Sequence, residues 1–369
     1  MKSKDKIFIF SCVHQWNDVR IYYKEAASLS RLYDVQVHAI ADFEYKRLND
    51  IDVYGLPNYG KRYKRPLLWW TLLSRAIRAH ADVYHFHDPE LIPTALILKI
   101  LRKKVIYDIH EDYPKAIVSK SWIPSKVRGI VSAAFNWFEK TAAKAFDYNI
   151  TVTDDIAQNF KNSDIAVIKN YPLYEQHDIS HKRPKDEIWA VYVGVLAPIR
   201  GIKEMVEAAA YIKPEYKFKL KLAGRFMSSE VEKNIRSISG FNVDILGFLD
   251  YKEVYELLVQ SDMGLVCLHP VPNYITSLPI KMFEYMSCAL PIIASDFPLW
   301  REIVVGNQCG ITVDPKNPEE IARAIEYLAD NPDIRHEMGM KGYEAYKEKY
   351  NWGAEENKLF DVYKYVLGK

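Results

Sequence analysis

Cysteine is scarce in this chain: four residues in 369 (Cys12, Cys267, Cys288 and Cys309), widely spaced and with no C-x-x-C pair. That argues against both a disulfide framework and a zinc site. No apolar run approaches the roughly 20 residues of a membrane span, so the chain is not expected to cross a bilayer. The opening MKSKDKIFIFSCVH joins basic residues to an apolar stretch too brief for a secretion signal. It reads as a first strand, and a cytoplasmic location is expected. An excess of one charge is missing too, since 50 Lys and Arg stand against 48 Asp and Glu. With that balance and no zinc-finger or RNA-recognition signature, no nucleic-acid partner is expected. There is no G-x-x-x-x-G-K-[ST] loop, no G-x-G-x-x-G after the first strand and no G-x-S-x-G elbow. Phosphate-loop kinases, ordinary dehydrogenases and serine hydrolases therefore fall away. Repeats, heptads and low-complexity tracts are also absent, which removes solenoids and fibres.

What is present is material for two cores: 49% hydrophobic and 27% charged residues in a chain longer than one core usually supports. Short β-branched and apolar runs alternate with helical stretches throughout, the pattern of doubly wound parallel sheets. Strands are expected near 6–11, 35–39, 83–87, 105–110, 148–152 and 166–168. A second series is expected near 189–193, 218–223, 243–246, 263–268, 291–294 and 310–313. Between the series lies NYPLYEQHDISHKRPKDE, polar and with two prolines, as an interdomain linker would be. The expected fold class is α/β, with two facing Rossmann-like domains and a ligand cleft between them. The boundaries are an N-terminal domain 1–172, a linker 173–187 and a C-terminal domain 188–350.

Charge is uneven along the chain. Residues 1–186 hold 29 Lys and Arg against 22 Asp and Glu, and the excess peaks in KRYKRPLLWWTLLSRAIRAH, Lys61 to His80, with six cations, no acid and the pair Trp69 and Trp70. Two readings are open: an interfacial helix on an anionic membrane surface, or a core-packed helix with solvated arginines.

In doubly wound sheets ligands bind beyond the carboxyl ends of the strands. In the first half those positions hold His14, His87 and Asp88 in YHFHDPE, and His110, Glu111 and Asp112 in VIYDIHED. In the second half they hold Gly194, Arg200 and Gly201, then Gly224 and Arg225, then Gly247, Phe248 and Leu249. The segment SLPIKMFEYMSCALPIIASDFPLWREIV adds a helix, with Thr276 or Ser277 as N-cap and Pro279 where a missing N–H costs nothing. Lys281 is then a first-turn cation, disfavoured beside the positive helix end by roughly 0.3–1 kcal/mol unless an anion binds there. A phosphate is the obvious anion, and Glu284 is placed to accept hydrogen bonds from hydroxyls of its carrier. The alternative is an i,i+3 surface pair of Lys281 and Glu284. His85, His87 and His110 with Asp88 or Asp112 offer metal-ligand types, but no compact spacing supports a metal, and none is assigned.

These residues resemble the retaining glycosyltransferases of family 4, which have the GT-B fold. The resemblance runs from near Phe8 to the C-terminus. It is carried by PIKMFEYMSCALPIIASDFPLWREIV, YVGVLAPIRGIKEMVEAA, VDILGFLDYKEVYELLVQSDMGLV, and YHFHDPEL followed by VIYDIHEDYP. HQWNDVRIYYKEAASL and VTDDIAQNF look like bacterial members that build surface polysaccharides, such as capsule or lipopolysaccharide. YNWGAEENKLFDVYKYV is similar to the family's final helix, here 351–369, which returns to the first domain.

The resemblance implies transfer of a sugar from a UDP- or GDP-sugar to a glycan or lipid-linked saccharide, with retention and without a metal or other cofactor. By position, Glu284 matches the glutamate that binds the ribose hydroxyls, and Arg200 the base that contacts the diphosphate. Lys281 and Gly194 match the phosphate approach, Gly247 and Leu249 the turn beside the nucleobase, and His110 the histidine near the transferred sugar. The catalytic assignments are therefore His110, Arg200 and Lys281, with His14, His87, Asp88 and Asp112 on the acceptor side. Two departures stand out: Thr276 replaces the first glutamate of the family's E-x7-E motif, and Val195 stands where many relatives have arginine. A nucleotide-sugar epimerase of the same architecture and a non-catalytic partner subunit are the alternatives.

Overall fold

The computed structural model describes residues 4–60, 62–119, 123–161, 163–175, 178–179 and 187–369. Lys61, and residues 176–177 and 180–186 of the expected linker, lie outside the described residues. The chain divides into two units, Met1–Asn170 with Glu355–Lys369, and Tyr171–Ala354. Residues assigned to the start of the linker pack within the second unit: Tyr174 stacks on Tyr346 at 5.9 Å and Glu175 donates its N–H to the Tyr346 hydroxyl at 3.0 Å.

The first unit is built on eight strands: β1 Lys6–Gln15, β2 Asp34–Ile40, β3 Tyr45–Leu48, β4 Ile51–Leu56, β5 Val83–Phe86, β6 Lys104–Ile109, β7 Tyr148–Thr151 and β8 Ile165–Val167. Their order is β3-β4-β2-β1-β5-β6-β7-β8, parallel except for β3 against β4. Phe8, Phe10, Tyr84, Phe86 and Tyr107 point to one face and pack under the helices Pro66–Ala79 and Ile92–Ile100. The alternate positions face the other way, so the sheet is buried on both sides, as parallel sheets require.

The second unit carries β9 Ile188–Val193, β10 Phe218–Ala223, β11 Val243–Gly247, β12 Met263–Val266, β13 Ile292–Ser295 and β14 Gly310–Val313, in the order β11-β10-β9-β12-β13-β14. Ala190 and Tyr192 enter one apolar cluster with the helix Ile202–Tyr211, while Val191 enters another with Phe283, Tyr285 and Trp300.

The twelve expected strands are all present, with ends shifted by a few residues. The hairpin of β3 and β4 was not expected. Its two-residue turn, Asn49 and Asp50, has φ of 49° and 62°, the geometry that matches strand twist in tight hairpins. Asn and Asp tolerate that region, so the turn was the available signal. The basic segment forms the helix Pro66–Ala79, with one face buried and another exposed. Leu68, Leu72, Leu73 and Ala76 are buried, while Leu67 and Trp70 are exposed. Among the described residues no helix is long and apolar enough to cross a membrane.

Candidate functional site

In the second unit three neighbouring strands, β9, β10 and β11, end in glycines with positive φ: Gly194 at 136°, Gly224 at 147° and Gly247 at 74°. Gly224 donates to the Gly247 carbonyl at 2.6 Å, and a Cβ on Gly224 would lie 1.8 Å from the Gly194 oxygen. A side chain at either position would strain the backbone and fill the space beyond the sheet.

Two cations close over that space. Arg200 ends a short 3-10 turn, Pro198–Arg200, and Gly201 then turns left-handed (φ 71°) into the helix Ile202–Tyr211. The Arg200 guanidinium is held by the hydroxyls of Tyr192 and Tyr274. Lys281 lies in the first turn of the helix Ile280–Ser287; its ammonium sits 3.8 Å from the Tyr192 ring centroid, buried and without a hydrogen-bond partner. A Cβ placed on Gly194 would meet Lys281 Nζ at 2.8 Å and Arg200 Nη1 at 3.4 Å. Burial, and then repulsion from Arg200, pushes the Lys281 amine well below the ordinary lysine range against the opposing pull of Glu284. The alternative of a surface Lys281–Glu284 pair is thus overturned, because Lys281 is 7% exposed.

The start of this helix also differs from expectation. Pro279, not Thr276 or Ser277, is the N-cap, and no side chain caps it. Thr276 instead ends the short helix Pro272–Ile275, and the Ser277 hydroxyl donates to the Tyr274 carbonyl at 3.0 Å. Trp300 fixes this loop by donating Nε1–H to the Ser277 oxygen at 2.8 Å. The Met282 N–H turns back to the Pro279 carbonyl at 3.1 Å, and the N-cap residue supplies no side-chain acceptor to the first turn. Half-buried Glu284 faces the phenols of Tyr251 and Tyr255, both pushed up, chiefly by burial and also by the Glu284 charge. Beside Gly247, Phe248 is exposed and carries the Arg225 guanidinium 4.5 Å over its ring. Leu249 is half-buried, and Val195 is 44% exposed.

The first unit has a cavity of about 780 Å³ lined by His14, Arg65, Asp88, Glu90, His110 and Tyr113 among others. β1 shifts register between Phe10 and Gln15, which swings His14 outward. The Asp88 carboxylate takes up the groups this releases, accepting from Ser11 Oγ at 2.7 Å and from the N–H groups of Cys12 at 2.6 Å and Val13 at 3.2 Å. His14 faces Asp18 at 3.1 Å and Asp88 at 3.5 Å. Burial lowers its affinity for a proton, but these carboxylates outweigh that and raise its pKa.

Two acceptor-side expectations are corrected. His87 is fully buried behind His110, with Nδ1 3.0 Å from His110 Nε2, and does not line the cavity. Asp112 is spent on the helix Tyr113–Ser119, accepting from the Lys115 N–H at 3.0 Å and pairing with its ammonium at 3.2 Å. Asp88 and Asp112 also fail as partners for a histidine metal set. The carboxylates standing with His85 and His87 are Asp108 and Glu25, neither singled out in the sequence. Arg20 braces them, with Nε 2.9 Å from an oxygen of each. Within this group burial and the Asp108 charge raise Glu25, Arg20 holds Asp108 ionised despite its burial, and burial pushes His87 down to about 4.

Comparison with known proteins gives two adjoining family matches: Glycosyltransferase Family 4 over residues 20–170 and Glycosyl transferases group 1 over residues 174–345. An uncharacterised glycosyltransferase of Methanocaldococcus jannaschii is 24% identical over 364 residues, covering 89% of this chain and 90% of that one. The structure of sucrose-phosphate synthase from Thermosynechococcus elongatus superposes with a TM-score of 0.80 at 16% identity, over 99% of this chain and 100% of that one. Anabaena HepE in complex with UDP gives 0.72 at 15% identity, over 98% and 99%.

Proposed function

The chain belongs to the GT-B glycosyltransferases, and on that premise we propose that its second unit binds a nucleoside-diphosphate sugar, with UDP or GDP as the leaving group. The observation that carries this reading is the buried, unpartnered Lys281 ammonium beside Arg200 and Gly194. Two cations at a side-chain-free strand end are costly in an unliganded fold and suited to a diphosphate. Arg200, Lys281 and the N–H groups of the helix Ile280–Ser287 stabilise charge as the sugar–phosphate bond breaks, with no metal in the donor site. Glu284 accepts from the ribose hydroxyls, and Gly247 and Leu249 border the base.

In the first unit, His110 and His14 offer ring N–H groups to hydroxyls of the sugar or acceptor, while Asp88 holds the strand that carries His14. Transfer with retention follows if the departing phosphate oxygen takes the acceptor proton, since no carboxylate is assigned as base. The acceptor proposed is a glycan or lipid-linked saccharide in cell-surface polysaccharide synthesis. Exposed Leu67 and Trp70, with the surrounding arginines, support peripheral contact with an anionic membrane.

The test is thermal stabilisation by UDP, GDP, ADP and CMP, each alone. Ligand at 100 times its dissociation constant contributes about 2.7 kcal/mol. A selective shift, lost in Glu284→Ala, supports the donor reading. No shift with any nucleotide refutes it. A donor converted to its epimer without acceptor would redirect the assignment to an epimerase.

A further inference from the structure

We propose that Glu25, His85, His87 and Asp108 form a site for one divalent transition-metal cation of the zinc class inside the first unit. These four side chains are wholly buried, and their donor atoms all lie within 4.8 Å of one another.

The fold brings them together from separate segments. His85 lies on β5, and His87 is two residues on and so on the same face. Asp108 on β6 is set opposite, because β5 and β6 pair Phe86 with Tyr107. The fourth donor comes from Val19–Ala26, an eight-residue segment wound as a π-helix. Hydrogen bonding from i to i+5 turns Arg20 and Glu25 toward the same side, whereas an α-helix would splay them. Such windings are rare and concentrate at functional sites.

Polar satisfaction points the same way. Glu25 Oε1 is ion-paired with Arg20 Nε at 2.9 Å, while Glu25 Oε2, His85 Nε2 and His87 Nε2 are buried without a hydrogen-bond partner. Interiors seldom leave such atoms unpaired, and here three converge. The far nitrogens are engaged: His85 Nδ1 lies 2.8 Å from the Tyr363 hydroxyl and His87 Nδ1 3.0 Å from His110 Nε2. Arg20 hydrogen-bonds Asp108 at 2.9 and 3.2 Å. Metal-binding histidines and carboxylates are oriented by outer partners of this kind.

Distances require only a small contraction. Glu25 Oε2 stands 3.6 Å from His87 Nε2, and His85 Nε2 stands 4.0 Å from Asp108 Oδ2. Bonds of about 2.0–2.2 Å in a tetrahedral shell put neighbouring donors roughly 3.3–3.6 Å apart. With both carboxylates and Arg20 ionised and the imidazoles neutral, the cluster carries one uncompensated negative charge. A proton on Glu25 Oε2, 3.6 Å from His87 Nε2, would balance it and serve that nitrogen but leave His85 Nε2 unpaired, whereas a cation engages both nitrogens. Two imidazoles with two carboxylates suit zinc, iron(II) or manganese(II) better than magnesium or calcium, which favour all-oxygen sets. A cation on His87 Nε2 would leave the proton on Nδ1, donating to His110 Nε2. His110 would then carry its own proton on Nδ1 in the cavity it lines. The cation is thus a positioning device for His110.

The test uses the full chain, stripped with chelator, loaded with Zn²⁺ alone, dialysed and analysed for metal. One zinc per chain is expected in the wild type and in His336→Ala, which removes an exposed histidine of the second unit. The zinc should be lost in Glu25→Gln and in His85→Phe, with native circular dichroism. Since misfolding of either variant would also release zinc, anomalous scattering from zinc-loaded wild-type crystals gives an independent reading, with a peak expected at bonding distance from all four donors. Wild-type protein that retains no zinc, folded variants that retain it, or a peak elsewhere would each overturn the proposal.

Discussion

Replacing Lys281 with Met should move stability and donor affinity in opposite directions. Met has nearly the length of Lys and keeps the packing on Tyr192, but removes a buried amine that has no hydrogen-bond partner. An unsatisfied buried polar group costs about 1–3 kcal/mol, so the unliganded variant should be more stable by about that amount. For a domain of this size that is a rise of roughly 2–4 °C per kcal/mol. The same change removes one of two cations facing the diphosphate, and losing one partner of a buried charge pair costs at least about 2 kcal/mol, near thirtyfold in dissociation constant. The pH dependence has a definite sign. The native amine is held well below its ordinary value of 10.5, so between the two values the unfolded chain binds more proton there than the native chain does. Wild-type stability therefore rises with pH up to about 10.5, and the advantage of the variant narrows over that range. A diphosphate should draw a proton onto the amine. Calorimetry at a series of pH values below 10.5, in buffers of different ionisation enthalpy, should then show proton uptake by the wild type and less by the variant. A variant that is less stable, or that binds nucleoside diphosphate as well as the wild type, refutes the reasoning.

Gly194→Ala places a Cβ 2.8 Å from Lys281 Nζ at φ 136°. It should cost about 1–2 kcal/mol in backbone strain and abolish nucleotide-induced stabilisation, read by thermal denaturation with and without ligand. Trp70→Ser with Leu67→Ser should reduce sedimentation with anionic vesicles by about tenfold or more, since each buried apolar side chain contributes roughly 1.5–3 kcal/mol. Equal sedimentation of both proteins would remove the membrane contact. Arg20→Met leaves Asp108 and Glu25 buried without their cation and should destabilise the first unit by about 3–5 kcal/mol, seen as a lower urea midpoint. An unchanged midpoint would mean that another cation balances them.

How much was legible depended on whether the signal was local. Strands such as Phe218–Ala223 announce themselves by composition, and the glycines after them mark the strand ends. Lys281 and Glu284 could be placed one turn apart on a single helix because helix register is local. Their burial was not legible, since it depends on Tyr192, Tyr274 and Arg200 arriving from other segments. The N-cap was misplaced because Ser277 favours the Tyr274 carbonyl, a choice made by the preceding short helix. Asp108, Glu25 and Arg20 were missed for a different reason. Asp108 sits inside a strand, where alternation predicts an apolar residue, and the other two meet only through a winding that the 3.6-residue period does not describe.

The two units share a parallel topology yet finish their strand ends in opposite ways, and this bears on which one takes the donor. In the first unit the N–H groups of Cys12 and Val13, at the bulge of β1, are occupied by the unit's own anion, the Asp88 carboxylate. A phosphate brought to those N–H groups would meet a buried negative charge and donors already engaged. At the corresponding end of the second unit the chain supplies glycines instead of an acid, leaves Lys281 without a partner and caps the helix Ile280–Ser287 with no side chain. Each of these choices lowers the stability of the unliganded fold, through glycine entropy, an unpaired amine and a bare helix end. Local rules broken together at one point are expected where a ligand completes the structure. An anion held by Arg200 and Lys281 would relieve the two electrostatic defects at once, and that coincidence is the reason for placing the diphosphate in the second unit rather than the first.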